Sequence, residues 1–461
     1  MNRRQFICGI TATAFAQQPA KKPNVLVILT DDQRFDTLHA VNNPDIRTPN
    51  MDRLVARGIA FTQAHIMGGS IQAVCAPSRG MMLTGQTLFH VTDTIIFPNP
   101  ARARPFDLYP ELFRKAGYTT FATGKWHNGP VLFQRCFADG DNIFFGGMAD
   151  HLHTPVYHFD PSGKYEARKM REAPKFSSEA FTDSAVGFLK RQKNATKPFL
   201  LYLAYTAPHD PRMAPSRFKD FYPAGTMKVP ENFLPRHPFD NGELKVRDEL
   251  LAPFPRTRQN VQDQLSDYYA MITEVDEQIG RVIDALEASG HGGDTVVVFA
   301  GDNGLAVGQH GLMGKQNLYD HSVRVPLVIG GPGLARNTRR DDLCYISDMA
   351  PTLLELAGLP IPKTMETQSL VGRAQKRDSL FFAYRNVQRG IRTDRYKLIQ
   401  YNASGVKNTQ LFDLFNDPLE RVNLAADGKH HTEVRELNGM LKAWMRKIDD
   451  PVDLDADRWG V

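Results

Sequence analysis

Cysteine is scarce, with 4 residues in 461. A chain this long buries most of its apolar surface without covalent staples, so a disulfide scaffold is excluded. No apolar run approaches the ~18 residues that cross a bilayer, which excludes a membrane-spanning helix. An excess of one charge is missing too: 56 Lys and Arg stand against 51 Asp and Glu, a net +5 with the signs interspersed. With no basic tract and no aromatic-basic stripe, nucleic acid is not an expected partner; the mild positive excess suits an anionic substrate. There is no internal repeat and no low-complexity tract. What is present, 42% hydrophobic and 23% charged residues, is the composition of a soluble globular protein. At ~150 residues per domain, the length predicts two or three domains, or one large α/β domain with an appendage.

Residues 1–16, MNRRQFICGITATAFA, read as a targeting segment. Arg3 and Arg4 form a basic start, Phe6–Ala16 a short apolar stretch, and Ala14-Phe15-Ala16 a cleavage signal. The arginine pair followed by Gln5, Phe6 and Ile7 is similar to a twin-arginine export signal. The expected location is outside a bacterial cytoplasm, periplasmic or extracellular. Cys8 would leave with this segment, and Cys75, Cys136 and Cys344 remain. An odd number leaves at least one unpaired within a monomer; whether Cys136 and Cys344 pair is open.

Asn24–Thr30 is a continuous apolar run rich in β-branched residues, the signature of a strand buried on both faces of a parallel sheet. Tyr118–Thr123, Phe199–Tyr205, Thr295–Ala300 and Val325–Ile329 are of the same kind. Helical patterns lie between them. The longest places Leu265, Tyr268, Ile272, Val275, Ile279, Val282 and Leu286 on one face and ends at Gly290. This alternation predicts an α/β sandwich around a large, mostly parallel central sheet. After about residue 365 the texture changes to short strand candidates separated by turns, then a helix near Thr432–Ile448. A small C-terminal antiparallel sheet with one helix is expected there. The division is therefore 1–16 signal peptide, 22–365 catalytic domain, 366–461 C-terminal subdomain. Met213–Thr257, rich in Pro and charge, reads as a long surface loop of the kind that is often functional.

Asp31 and Asp32 directly follow the first strand, and Asp302 and Asn303 follow the strand Thr295–Ala300. Ligands gather at the carboxyl ends of parallel strands. Adjacent carboxylates there repel unless a cation or proton separates them. Oxygen-only ligands favour a hard cation, Ca²⁺ with Mg²⁺ as the alternative. Cys75-Ala-Pro-Ser-Arg79 follows, with Pro77 suited to the first turn of a helix, so Cys75 is placed at a helix N-terminus.

C-x-P-S-R followed by Leu83-Thr84-Gly85 resembles the signature of the type I sulfatases, in the alkaline phosphatase superfamily. That resemblance implies an alkaline-phosphatase-like fold and a cysteine oxidised to Cα-formylglycine by a dedicated maturation enzyme, with the aldehyde hydrate as nucleophile. It extends along residues 24 to about 425. Asp31, Asp32, Asp302 and Asn303, with the modified Cys75, match the family's metal site. Gly124-Lys-Trp-His127 matches a segment whose lysine contacts sulfate and whose histidine assists the hydrate. Pro208-His209 matches the histidine facing the leaving group, and Lys315 the second sulfate-binding lysine. Arg79 completes the implied catalytic set. Ala76 and Gly80 are variable positions, and Gln86 stands where the family often has arginine. The implied substrate is a sulfated carbohydrate. Alternatives are a phosphonate or phosphate monoester hydrolase, a choline-sulfatase-like enzyme marked by an aromatic cage, and a non-catalytic sugar-binding relative.

Further residues are candidates for substrate binding. His151, His153 and His158, with Asp150 and Asp160, make a dense patch that admits a zinc site, a substrate-recognition loop or a solvated turn. Arg212 could meet a second anionic substituent or form a surface salt bridge, and His310 and His321 flank Lys315 closely enough to line the pocket. Asn194 and Asn402 lie in glycosylation sequons, without consequence in a bacterial host.

Overall fold

The computed structural model describes residues 22–41, 43–372 and 375–459; the targeting segment and Cys8 lie outside them. Eight strands form the main sheet: β1 (Asn24–Thr30), β2 (Gly58–Phe61), β3 (Thr119–Lys125), β4 (Asp139–Phe144), β5 (Phe199–Ala204), β6 (Thr295–Gly301), β7 (Leu327–Gly330) and β8 (Thr338–Arg340). Their order across the sheet is β8-β2-β7-β6-β1-β5-β3-β4. β7 pairs antiparallel with both neighbours; every other pairing is parallel. All seven residues of β1 are buried, as a central strand covered by helices on both faces requires.

One covering helix is α1 (Pro49–Arg57), and another is α3 (Ser177–Arg191), reached after α2 (Cys75–Thr84). The long amphipathic pattern becomes α4 (Arg258–Ala288), opened by a reciprocal Thr257–Asn260 cap. Among the described residues no helix is long and apolar enough to cross a membrane.

The C-terminal part forms β9 (Leu380–Tyr384), β10 (Gln388–Arg392), β11 (Tyr396–Ala403) and β12 (Val406–Asp413), paired antiparallel in sequence order. Helix α6 (His431–Lys447) follows; α5 (Met349–Leu356) precedes the sheet. A two-residue strand, Gly68–Gly69, joins the edge of β9 in parallel. Gly68 has φ +100, and a Cβ there would lie 2.0 Å from the Ala383 carbonyl oxygen, so glycine is required. This contact ties the small sheet to the segment that runs straight into Cys75. Cys75, Cys136 and Cys344 are free and buried, so Cys136 and Cys344 do not pair.

Candidate active site

Register assembles the site. Thr30 at the end of β1 is the parallel partner of Gly301 at the end of β6. The next residues, Asp31-Asp32 and Asp302-Asn303, therefore leave the sheet side by side. β5 and then β3 lie on the other side of β1, delivering His209 through Tyr205–Pro208, and Lys125 and His127. Asp31, Asp302 and Asn303 are 0% exposed. The Asp32 amide donates to Asp302 Oδ1 at 3.2 Å, and Asn303 Nδ2 donates to Asp32 Oδ1 at 2.6 Å.

Cys75 is the first residue of α2, a helix buried at every position and ended by Gly85 at φ 64. Its Sγ lies 3.3 Å from His127 Nδ1 and 3.5 Å from Lys125 Nζ. Lys125 Nζ also donates to Asp31 Oδ2 at 2.5 Å and to the Gly147 carbonyl at 2.6 Å. One turn along α2, Arg79 donates to Asp302 Oδ2 at 2.7 Å and to the Lys125 carbonyl at 2.8 Å. Lys315 Nζ reaches Asp32 Oδ1 at 2.7 Å. His209 Nε2 lies 3.6 Å from Asp32 Oδ2, while its Nδ1 meets the Asp210 carbonyl oxygen at 2.8 Å.

Charge follows from this packing. Burial, with the Asp302 carboxylate beside it, pushes Asp31 up to about 8. Burial pushes Asp302 the same way, but Arg79, Lys125 and Lys315 hold it at about 2. Burial and the neighbouring cations Lys125, Arg79 and Lys315 lower His127 to about 2, so its ring is neutral. Burial raises the Cys75 thiol, against the pull of Lys125 and Lys315.

The donor set fits a hard divalent cation. Asp31, Cys75 and Asp302 bring ligand atoms within 4.8 Å of one another, as do Asp31, Asp32 and His209. Among the described residues, Asp31 Oδ1 and Asn303 Oδ1 are buried acceptors without a hydrogen-bond partner. Buried polar atoms of this kind are costly unless something satisfies them, and a cation bound by oxygens does so.

Several supports were not visible in the sequence. Asp32 adopts φ 63 and His127 φ 64, both in the left-handed region. Tyr268 of α4 holds Asp32 in place: its hydroxyl donates to the Asp32 carbonyl at 2.7 Å and accepts from the Arg34 amide at 3.0 Å. Trp126 is buried, with its ring edge-on to Phe133, Phe137 and Tyr202, and so anchors the segment carrying Lys125 and His127. Gly124 is needed at φ +88 because a Cβ there would lie 1.9 Å from the Ala204 carbonyl oxygen.

A cavity of about 230 Å³ opens over Cys75, His127, His209 and Lys315. The long segment 213–257 supplies part of its wall, Val246, Arg247 and Asp248, and folds in part into the short helical turns Ser216–Lys219, Ala224–Thr226 and Arg247–Leu251. Arg247 grips Asp210 and Asp248, and Gln316 donates to Asp248 Oδ2 at 2.7 Å. Nothing in the sequence marked these residues beyond the length of the loop.

Four expected substrate contacts do not reach this cavity. His151 is buried behind it, with Nε2 2.9 Å from the His209 carbonyl oxygen. His153 is exposed and pairs with Glu172. Arg212 lies over the Tyr268 ring at 5.7 Å and bonds Gln264. His310, at φ 53, stacks on Tyr319 with ring centroids 3.9 Å apart, turned toward the C-terminal part. His321 joins that stack and is likewise absent from the cavity wall. The patch around His153 and His158 is a solvated turn of ion pairs, His158 with Asp141 and Lys169 with Asp160; among the described residues it gathers no metal-ligating cluster.

A family model described as Sulfatase matches residues 23–359, and one described as N-sulphoglucosamine sulphohydrolase, C-terminal, matches residues 308–447. A sulfatase of Formosa agariphila is 29% identical, covering 92% of this chain and 87% of its own. An N-acetylglucosamine-6-O-sulfatase of Bacteroides thetaiotaomicron is 25% identical, covering 94% and 88%. A solved structure in complex with its substrate D-glucosamine-2-N,6-O-disulfate shares the fold, with TM-score 0.77, 23% identity and coverage of 95% and 99%.

Proposed function

The chain belongs to the sulfatase family, and from that premise we propose that it removes sulfate from a sulfated carbohydrate, using a nucleophile made from Cys75. It is a sulfuric ester hydrolase on an alkaline-phosphatase-like fold. The single observation that carries the finer reading is the convergence on Cys75, whose sulfur is within reach of both Lys125 and His127 beside three buried carboxylates. The carbohydrate comes from the relatives, one an N-acetylglucosamine-6-O-sulfatase.

Asp31, Asp32, Asp302 and Asn303, with the modified Cys75, would hold Ca²⁺. When bound, the cation withdraws charge from the sulfate oxygens. A thiol nucleophile would end in a stable thiosulfate-like adduct; a formylglycine hydrate at Cys75 supplies one hydroxyl to attack sulfur and a second to expel sulfate, which requires a maturation enzyme. Lys125 and Lys315 bind the sulfate oxygens, and preorganised charge of this kind is usually the largest catalytic contribution. Arg79 fixes Asp302, which accepts the proton of the attacking hydroxyl. His127, neutral and 3.3 Å from Sγ, takes the proton of the remaining hydroxyl. His209 donates to the leaving oxygen. With Nδ1 directed at the Asp210 carbonyl, a proton on Nε2 requires the imidazolium, which burial opposes and Asp32 favours.

Among the described residues no Phe, Tyr or Trp lines the cavity, so the choline-type alternative finds no support there. The export signal read at residues 1–16 supports work in the periplasm or outside the cell. The test is sulfate release by ion chromatography from sulfated mono- and disaccharides, after co-expression with a formylglycine-generating enzyme. Release that vanishes in Cys75→Ala supports the reading. Turnover of a phosphate ester with none of any sulfated sugar contradicts it.

A further inference from the structure

A second cavity, of about 490 Å³, lies at the turns of the small sheet, beside Ser70. This is within the ~300–1,000 Å³ range of small-molecule sites. Its wall includes Ser70, Arg385, Asn402, Arg458 and Trp459, and among the described residues no carboxylate side chain lines it. The two cavities share a partition. Ser70 lies two residues before Gln72 of the active pocket, at most about 7 Å of chain. Next to Val387 of the second cavity, Gln388 donates to the carbonyl of Gln316, which lines the first. Arg385 pairs with Glu243, in the segment that continues to Val246, Arg247 and Asp248.

One feature points to a ligand. Arg458 is exposed, its side chain lying over Gly405, and among the described residues no carboxylate pairs with it. Arg385, in the turn between β9 and β10 at φ 41, has its amide bonded to the Gly69 carbonyl at 2.8 Å, which fixes the neighbouring part of the wall. The exposed Arg458 guanidinium, with the hydroxyl of the exposed Ser404 on the same wall, suits a sugar carrying an anion: the guanidinium for the charge and the hydroxyl for a sugar hydroxyl.

We infer that this cavity binds a neighbouring anionic sugar of the substrate chain, so that the enzyme prefers sulfated oligosaccharides to the free sulfated monosaccharide. The inference rests on the carbohydrate reading above and adds the chemistry of the adjoining residue, a carboxylate or a second sulfate.

The experiment compares matured parent and Arg458→Ala enzymes on four substrates. They are a sulfated monosaccharide, and the same sugar joined to a uronic acid, to a second sulfated sugar and to a neutral sugar. The parent is expected to favour one or both anionic disaccharides. Arg458→Ala is expected to raise KM on those by at least about tenfold, as loss of a charge-assisted bond implies. The monosaccharide and neutral disaccharide should be unaffected, kcat unchanged, and Arg458→Lys should recover part of the loss. Which disaccharide responds tells carboxylate from sulfate. An equal loss on all four substrates, no loss on any, or a parent with no preference for the anionic disaccharides overturns the inference while leaving the carbohydrate reading intact. A parent that hydrolyses no sulfated sugar overturns both.

Discussion

Lys125 and Lys315 come from different elements and each settles on one of two adjacent carboxylates, Asp31 and Asp32. Both ammonium groups stay charged in spite of burial because those carboxylates raise their pKa. Lys315→Met is therefore expected to lower kcat by about 10²–10³, the usual loss for one preorganised donor, and to lower Tm as well, because it leaves the buried Asp32 carboxylate without its ammonium partner; an unchanged kcat contradicts its role. Away from the site, burial pushes Glu274 up to about 8 from 4.5. Between those values the folded chain keeps a proton the unfolded chain has lost, so this group's stabilising contribution is full below pH 4.5 and falls as pH rises toward 8. Glu274→Gln should match the parent's Tm near pH 4.5 and exceed it near pH 8; a constant difference across that range would refute the assignment. At this scale the sequence was legible where chemistry is local. Asp31-Asp32 and Asp302-Asn303 stood out because each directly follows an apolar run. It misled at His310, where five residues from Lys315 reads as proximity; the turn through His310 at φ 53 and Gly311 at φ 77 carries the ring away.

The central strands and α4 act together on the strained Asp32. The apolar stripe of α4 was readable from its spacing, yet Tyr268 sits in that stripe as one more core position, and only the fold reveals that its hydroxyl serves two backbone groups around Asp32. Tyr268→Phe leaves both groups buried and unpaired, at a cost of about 1–3 kcal/mol. Urea unfolding should register that loss, and kcat should fall with it; a variant as stable and active as the parent would show that Asp32 does not need this support. Strand order was not legible either. The alternation of strands and helices implied a mostly parallel sheet, but the pairing of Thr30 with Gly301, which brings the two acidic pairs together, is a tertiary choice. Short strands such as Gly58–Phe61 and Asp139–Phe144 carry too few residues for a clear period. The wall residues Arg247 and Asp248 lie in a segment with no period at all.

Across the whole molecule, the main sheet supplies the charged floor, and the C-terminal sheet is stitched to it through Gly68–Gly69 just before Cys75. The three buried carboxylates are matched in number by Lys125, Lys315 and Arg79, yet among the described residues nothing hydrogen-bonds Asp31 Oδ1, and burial beside Asp302 raises the Asp31 pKa. A divalent cation held there would stabilise the folded chain by mass action, about 3 kcal/mol at a hundredfold excess over Kd. Chelation should lower Tm and abolish turnover, and Ca²⁺ should restore both; indifference of Tm and turnover to chelator contradicts the assigned site. The central claim is that Cys75 becomes the nucleophile of sulfate-ester hydrolysis. The most direct measurement is peptide mass spectrometry over Gly58–Arg79 on active enzyme, with sulfate release recorded on the same samples. The account predicts an aldehyde in place of the Cys75 thiol, with activity proportional to the aldehyde fraction. Full sulfatase activity in protein whose Cys75 is entirely thiol would contradict it.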